Sequence, residues 1–177
     1  MARITVNETG TSPLILLSTT VGNATAISTG NISSANVLSV GCLQDVTITA
    51  STGVFSWTDF CSPDTNKLPT PADNEISTNV VLDDVKYFGN TSASANSAAG
   101  LGMAKLSQNK VEVQFLVVWN NNDIANVCDP AIRSNTTYWS SGVGYVTSLA
   151  PTVSPDAPVW VSPMTVAVDG TMYNGAG

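Results

Sequence analysis

Asp83-Asp84 is the only adjacent carboxylate pair in the 177-residue sequence. The run Ile76 to Phe88 reads as one long strand, which would point the two side chains to opposite faces. Neither a proton nor a metal can then be shared, and the pair reads as solvated charge. Asp59, Asp64, Asp73 and Glu75 surround a proline-rich stretch. Two carboxylates at the right separation would make a glycosidase acid/base pair, but sugar-stacking aromatics do not cluster there. Asn120, Asn122, Asp123 and Asn126 match a calcium loop in composition only; the Asp-x-Asp-x-Asn-Gly order and distal Glu are missing. Gly100-Leu-Gly102 lacks the third glycine and the Lys-Ser/Thr of phosphate loops, and reads as a close-packing helix face. Histidine is absent, which removes Ser-His-Asp and Cys-His catalysis and His-ligated zinc. Cys42, Cys61 and Cys128 form no CxxC pair and read as buried free thiols. No enzyme, cofactor or metal site is expected.

Composition narrows the class further. Charged residues are 11% and apolar residues 43%, with mean hydropathy +0.15, so the chain should bury one ordinary core. The polar share is carried instead by 20 Ser, 21 Thr and 16 Asn. Such a surface repels copies of itself weakly. Net charge is −7 with six Lys and Arg in all, which excludes a generally basic nucleic-acid binder. The early apolar run Pro13–Leu17 is short for a signal peptide, and no stretch approaches a membrane helix. The sequons at Asn7, Asn23, Asn31, Asn90 and Asn135 are about as many as this composition gives by chance.

The elements that would position these residues are mostly strands. Ala2–Val6 and Leu14–Val21 are expected strands, and 22–36 an extended arm or long loop. Asp45–Ser51 alternates as a half-buried strand, turning at Thr52-Gly53 into a partner strand Val54–Phe60. Cys61–Asn74 holds three prolines and reads as an exposed loop. The long strand of residues 76–88 ends at Gly89-Asn90. Ser92–Gln108 is the one helix, capped by Ser92 or Ser94, with Ala95, Ala98, Ala99, Gly102 and Leu106 on one face. Lys110–Trp119, Val143–Leu149 and Pro158–Asp169 complete the strands; 120–141 and Ala150–Ala157 connect them. Trp57, Trp119, Trp139 and Trp160 are dispersed and read as core or interface. The sum is a single mainly-β domain: an antiparallel β-sandwich or partial barrel with one flanking α-helix.

From Asn74 onward, a long strand ends at Phe88-Gly89. A small-residue helix, the strand Val111–Trp119, the segment Gly142-Val-Gly-Tyr-Val-Thr-Ser-Leu-Ala-Pro-Thr and a late strand closing on Val166-Ala-Val-Asp-Gly170 follow. This order resembles the tail tube (major tail) proteins of long-tailed bacteriophages, over residues 74 to 170. The resemblance implies hexameric rings that stack into a tube, an inner barrel completed by strands of all the subunits, and genomic DNA passing through it. It implies partners: further copies of the chain, a tape measure, a tail terminator and a baseplate or distal tail protein, with or without a sheath. DNA would be a non-specific, transient cargo and no membrane would be involved. The location would be the virion tail, after assembly in the host bacterial cytoplasm.

On that reading a wet, non-basic lumen suits the scarcity of Lys and Arg. Strand alternation offers Asp45, Thr47, Thr49, Glu112, Gln114, Thr165 and Asp169 as lumen-facing candidates. The arm and the long loop offer Asn23, Asn31, Asp64, Asn66, Lys67 and Asp73 for contacts between rings. Two other classes fit the composition: a capsid decoration or cement protein, and a secreted carbohydrate-binding or adhesin β-sandwich.

Overall fold

A computed structural model describes residues 13–20, 36–41, 43–59, 62–119, 139–154 and 157–175. The expected strand Ala2–Val6, the arm at 22–36 up to residue 35 with Asn23 and Asn31, the asparagine-rich segment 120–138 and all three cysteines lie outside these residues. Eight strands and two helices are described. They are β1 (Leu14–Ser18), β2 (Leu38–Val40), β3 (Leu43–Asp59), β4 (Ser62–Leu82), α1 (Asp84–Phe88), α2 (Ala98–Gln108), β5 (Glu112–Val118), β6 (Trp139–Leu149), β7 (Thr152–Ser154) and β8 (Ala157–Gly175).

All strand pairs are antiparallel, in the order β2-β1-β5-β6-β8-β4-β3, with β7 added to β8. The terminal strands of that path, β2 and β3, are adjacent in sequence. Val40 and Leu43 are three residues apart, so the sheet's two ends lie within about 11 Å of each other. One sheet therefore curls back on itself as a partial barrel, and Val40 and Leu43 share a core with residues from every long strand. Val113, Phe115 and Val117 of β5 fill it, together with Ile15, Leu17, Ile76, Val80, Val146, Met164 and Val166. Phe115 lies directly opposite Gly142, whose missing side chain gives the ring its space.

α2 lies on this core through Ala98, Met103 and Leu106. It starts later than the sequence suggests. Ser97 is the cap, its hydroxyl accepting the Gly100 N–H at 3.1 Å, while Ala95 is exposed ahead of the helix. The long strand expected to Phe88 stops at Leu82, because Asp83 caps a helical turn and accepts the Lys86 N–H at 2.7 Å. A cap with its acid at the first turn outweighs the strand propensity of Val85, Tyr87 and Phe88.

The glycines in α2 have a specific use. Gly102 has φ 70° and breaks the helical path. A Cβ there would strike the backbone of Phe88 and Gly89, and one on Gly89 (φ 100°) would strike the Gly100 carbonyl. The two helices touch backbone to backbone, and Asn90 N–H donates to Ala99 C=O at 2.8 Å. Gly102→Ala adds a left-handed penalty to a backbone clash and is expected to cost about 2 kcal/mol or more, read as a lowered midpoint in chemical denaturation.

The region expected to hold a hairpin and then a loop is the largest departure. β3 runs straight through Thr52-Gly53, and the described part of the expected loop Cys61–Asn74, from Ser62 on, is strand paired to it, from Asp59↔Ser62 to Leu43↔Val80. A bulge between Thr52 and Val54 absorbs the glycine. Pro69 and Pro71 are two apart, so both withhold an N–H from the same edge of β4. A strand tolerates that where the edge has no partner, and β8 pairs with β4 only from Glu75 to Leu82. Beyond Glu75 the β3–β4 ribbon leaves the sheet and continues alone.

Candidate functional site

The register of the sheet gathers the sequence candidates onto one face. Residues directly opposite one another share a face. Asp45 faces Asn79, which faces Pro163. Thr47 faces Ser77, which faces Thr165. Thr49, Glu75, Ala167, Tyr145 and Glu112 form a single row across five strands, and Asp169, Val143 and Gln114 form the next. All seven proposed lumen residues thus lie on the face turned away from Ile76, Val146, Val166 and Phe115. Asp45, Thr47, Thr49, Glu112 and Asp169 are exposed and Thr165 is half-buried. Gln114 shares the face but is only 6% exposed, so solvent hardly reaches it.

Alternation in single strands missed Glu75, Ser77 and Asn79 on the same face. The strand they belong to was read only from Ile76, so its neighbours across the sheet were not in view. With Glu75 added, the face carries Asp45, Glu75, Glu112 and Asp169. No Lys or Arg occurs anywhere in β5, β6, β8 or the in-sheet parts of β3 and β4. Among the described residues the face is acidic and hydroxyl-rich, and its one neighbouring cation is Lys110, exposed just ahead of β5 and lining a pocket with Tyr145 and Thr147.

Two of these acids are tied into the sheet. Asp45 accepts from Asn79 twice, N–H to Oδ1 at 2.7 Å and Nδ2 to Oδ2 at 2.8 Å. Its backbone carbonyl accepts from the Thr78 hydroxyl. These bonds pin the register shift between Leu43 and Asp45. Glu75 accepts from Ser77 Oγ at 2.8 Å. Asp45→Ala would remove both bonds to Asn79, whose donors water can then reach, and is expected to destabilise the protein by about 1 kcal/mol, whereas Glu112→Ala should stay within about 0.5 kcal/mol. Thermal unfolding of the two variants side by side measures the contrast.

The second feature is the free ribbon. From Ala50 to Thr58 and from Leu68 to Asp73 its described side chains are exposed on both faces. Phe55 and Trp57 stack with ring centroids 5.7 Å apart, and Leu68 is opposite Phe55. Val54 and Pro69 occupy the other face. Phe55 is 60% exposed. The contact candidates Asp64, Asn66, Lys67 and Asp73 all lie on the β4 side of this ribbon, with Asn66 opposite Trp57 and Lys67 opposite Ser56.

Trp57 is therefore not core, and neither is Trp160, which is exposed beside Tyr87 and Phe88. Trp119 does anchor the fold: its Nε1 donates to Ser140 Oγ at 2.9 Å, and Ser140 donates to Asn174 at 2.6 Å. Asp83 is committed to capping α1 and to an ion pair with Lys86 at 3.1 Å. Among the described residues no group of three metal-ligating side chains comes together, and no helix is long and apolar enough to cross a membrane.

No protein-family model matches the chain, and no curated protein matches its sequence. Solved structures do share its fold. A chain from the tail of an empty gene transfer agent (GTA) particle, refined helically with C6 symmetry, has a TM-score of 0.52 at 14% identity, over 92% of this chain and 96% of that one. The anti-feeding prophage cap, which terminates the AFP tube, gives 0.53 at 12% identity, over 100% and 95%. A chain of the native GTA virion gives 0.50 at 14%, over 79% and 89%. The fold is that of structural tail and tube chains of phage-like particles, as the resemblance in residues 74 to 170 led one to expect.

Proposed function

We propose that this chain is the ring-forming subunit of a phage-type tail tube, and that its acidic sheet face lines the channel through which DNA leaves. The observation that carries the reading is the acidic face spanning β5, β6, β8, β4 and β3, whose strands hold no Lys or Arg within the sheet and whose one neighbouring cation among the described residues is Lys110 at its edge. A duplex sliding past Lys or Arg would exchange counterions for protein contacts and stick. Past carboxylates and hydroxyls it keeps its ion atmosphere. The exposed residues Asp45, Thr47, Thr49, Glu75, Glu112 and Asp169, with half-buried Thr165, are the proposed lining.

The C6 symmetry belongs to the GTA tail, and it supports six subunits per ring here. Rings that close side to side would complete the partial barrel and hide its strand edges. The β3–β4 ribbon would then reach an adjacent copy through Asp64, Asn66, Lys67 and Asp73. Terminator, tape-measure and baseplate proteins are the partners such a tube needs, and the virion tail is the location.

Negative-stain electron microscopy at rising concentration, with light-scattering mass on the same samples, tests the reading. Hollow tubes or sixfold rings are expected. Trimers would point to a capsid decoration protein instead. The Phe55–Trp57 stack favours one second reading, a carbohydrate-binding β-domain. A strict monomer that lights up a glycan array would establish that reading in place of the tube.

A further inference from the structure

The molecule exposes a second apolar feature, and it lies at the far end of the strand that carries the first. β4 holds Leu68 near the ribbon tip and Leu82 at its other end, fourteen residues or about 45 Å away. Leu82 is opposite Trp160. Beyond it, Leu82, Asp83, Asp84, Phe88, Val159 and Trp160 line a groove of about 350 Å³. Its aromatic wall is a cluster in which Tyr87, Phe88 and Trp160 meet edge to face. Phe88 is 59% exposed, and Val159 is exposed with it.

We infer that this groove receives the ribbon tip of a second copy of the chain. The inference rests on the tube reading and names the surface its ribbon would meet. Three observations fit this occupant. The tip is apolar on both faces, Phe55, Trp57 and Leu68 on one and Val54 and Pro69 on the other. A ribbon of that kind is only half covered by a flat surface, whereas a groove covers both sides. One opposite-charge pair is available: Lys67, the one cation between residues 43 and 82, stands among Asp64 and Asp73 on the ribbon, and Asp84 is exposed in the groove lining. Finally, tip and groove sit at opposite ends of one strand, so a chain cannot fill its own groove. Different patches meeting head to tail propagate without closing, as a tube requires.

Photo-crosslinking of the assembled full-length protein tests this. Benzoylphenylalanine replaces Trp57, keeping an aromatic ring at the tip, and crosslinked peptides are identified by mass spectrometry. Crosslinks from position 57 to residues 82–88 or 159–160 of another copy are expected. If tubes form and the crosslinks fall elsewhere, the groove assignment is wrong while the tube reading stands. If the unmodified protein forms neither tubes nor rings, both fail together.

A charge exchange supplies the second measurement. Lys67→Glu and Asp84→Lys should each raise the critical concentration for assembly by about tenfold or more, and the double variant should recover most of the loss. Additive losses in the double variant would overturn the pairing, because two merely structural defects do not rescue each other.

Discussion

Replacing residues 53–71 with a two-residue Asn-Gly turn is expected to leave the domain folded and to abolish the proposed tubes. No described side chain between Thr49 and Asp73 is buried, and the core positions of β4 begin at Ile76. β8 pairs with β4 from Glu75 onward, and the β3–β4 ladder from Leu43↔Val80 to Thr52↔Ala72 survives. Asn-Gly suits a two-residue hairpin connection. The loss to the isolated subunit is a piece of two-stranded ribbon, marginal by itself in water, so the melting temperature should move by no more than a few degrees. Assembly should suffer far more. Phe55, Trp57, Leu68 and Val54 are the exposed apolar groups there, and buried aromatics dominate contact energies. Polymer should be missing at a hundred times the wild-type critical concentration, leaving monomers or single rings in sedimentation. A folded variant that still makes normal tubes would remove the ribbon from the assembly. Deleting residues 62–72 alone would be a poor version of this experiment, since it strips β3 of its partner and exposes a long unpaired edge.

That difference shows where the sequence was readable. In β5 the apolar positions Val113, Phe115 and Val117 alternate, and the same alternation in Asp45–Ser51 marks a strand with one wet face; both signals are local. The face that collects Asp45, Thr47, Thr49, Glu112, Thr165 and Asp169 could be suspected strand by strand, because period two is imposed by the pleat itself. That these residues form one surface could not be read, since the row Thr49-Glu75-Ala167-Tyr145-Glu112 joins positions far apart in the chain.

The ribbon was misread because its signals belong to different questions. Thr52-Gly53 and the prolines at 63, 69 and 71 are turn chemistry in a central strand. On an edge with no partner they are harmless, and whether β4 has a partner there is decided by where β8 stops. The groove was invisible for a similar reason. Asp83 looked like a mid-strand charge until its carboxylate was seen capping α1, which is what turns Phe88 outward beside Trp160. Both features that would serve assembly, tip and groove, lie where local propensity was overruled. Trp57 and Trp160 were left open between core and interface because composition does not distinguish a side chain buried in its own chain from one left for another.

If the acidic face lines the proposed channel, Glu112→Lys with Asp169→Lys is expected to turn a tube that would pass DNA into one that holds it. Neither carboxylate carries a described bond that the sheet depends on, unlike Asp45, which accepts twice from Asn79 across β3 and β4. The two residues lie in adjacent rows of one face, Glu112 opposite Tyr145 and Asp169 opposite Val143. Both are exposed, so the domain should fold and assemble as before. In a ring of six subunits the change would place about a dozen lysines on a surface whose in-sheet strands held none, facing a duplex with one phosphate per about 1.7 Å of axis. Genome ejection should fall by an order of magnitude or more. Assembled tubes should gain DNA binding that weakens steeply as salt rises, with a slope of about −0.9 for each phosphate neutralised. The salt dependence separates this from a damaged assembly, which would also impair infection but would not respond to added salt. If the double variant ejects DNA normally and its tubes bind none, the acidic face does not line the channel. The same substitutions on the outer wall of the tube would instead let DNA coat the particle's exterior, visible by microscopy as decorated rather than filled tubes.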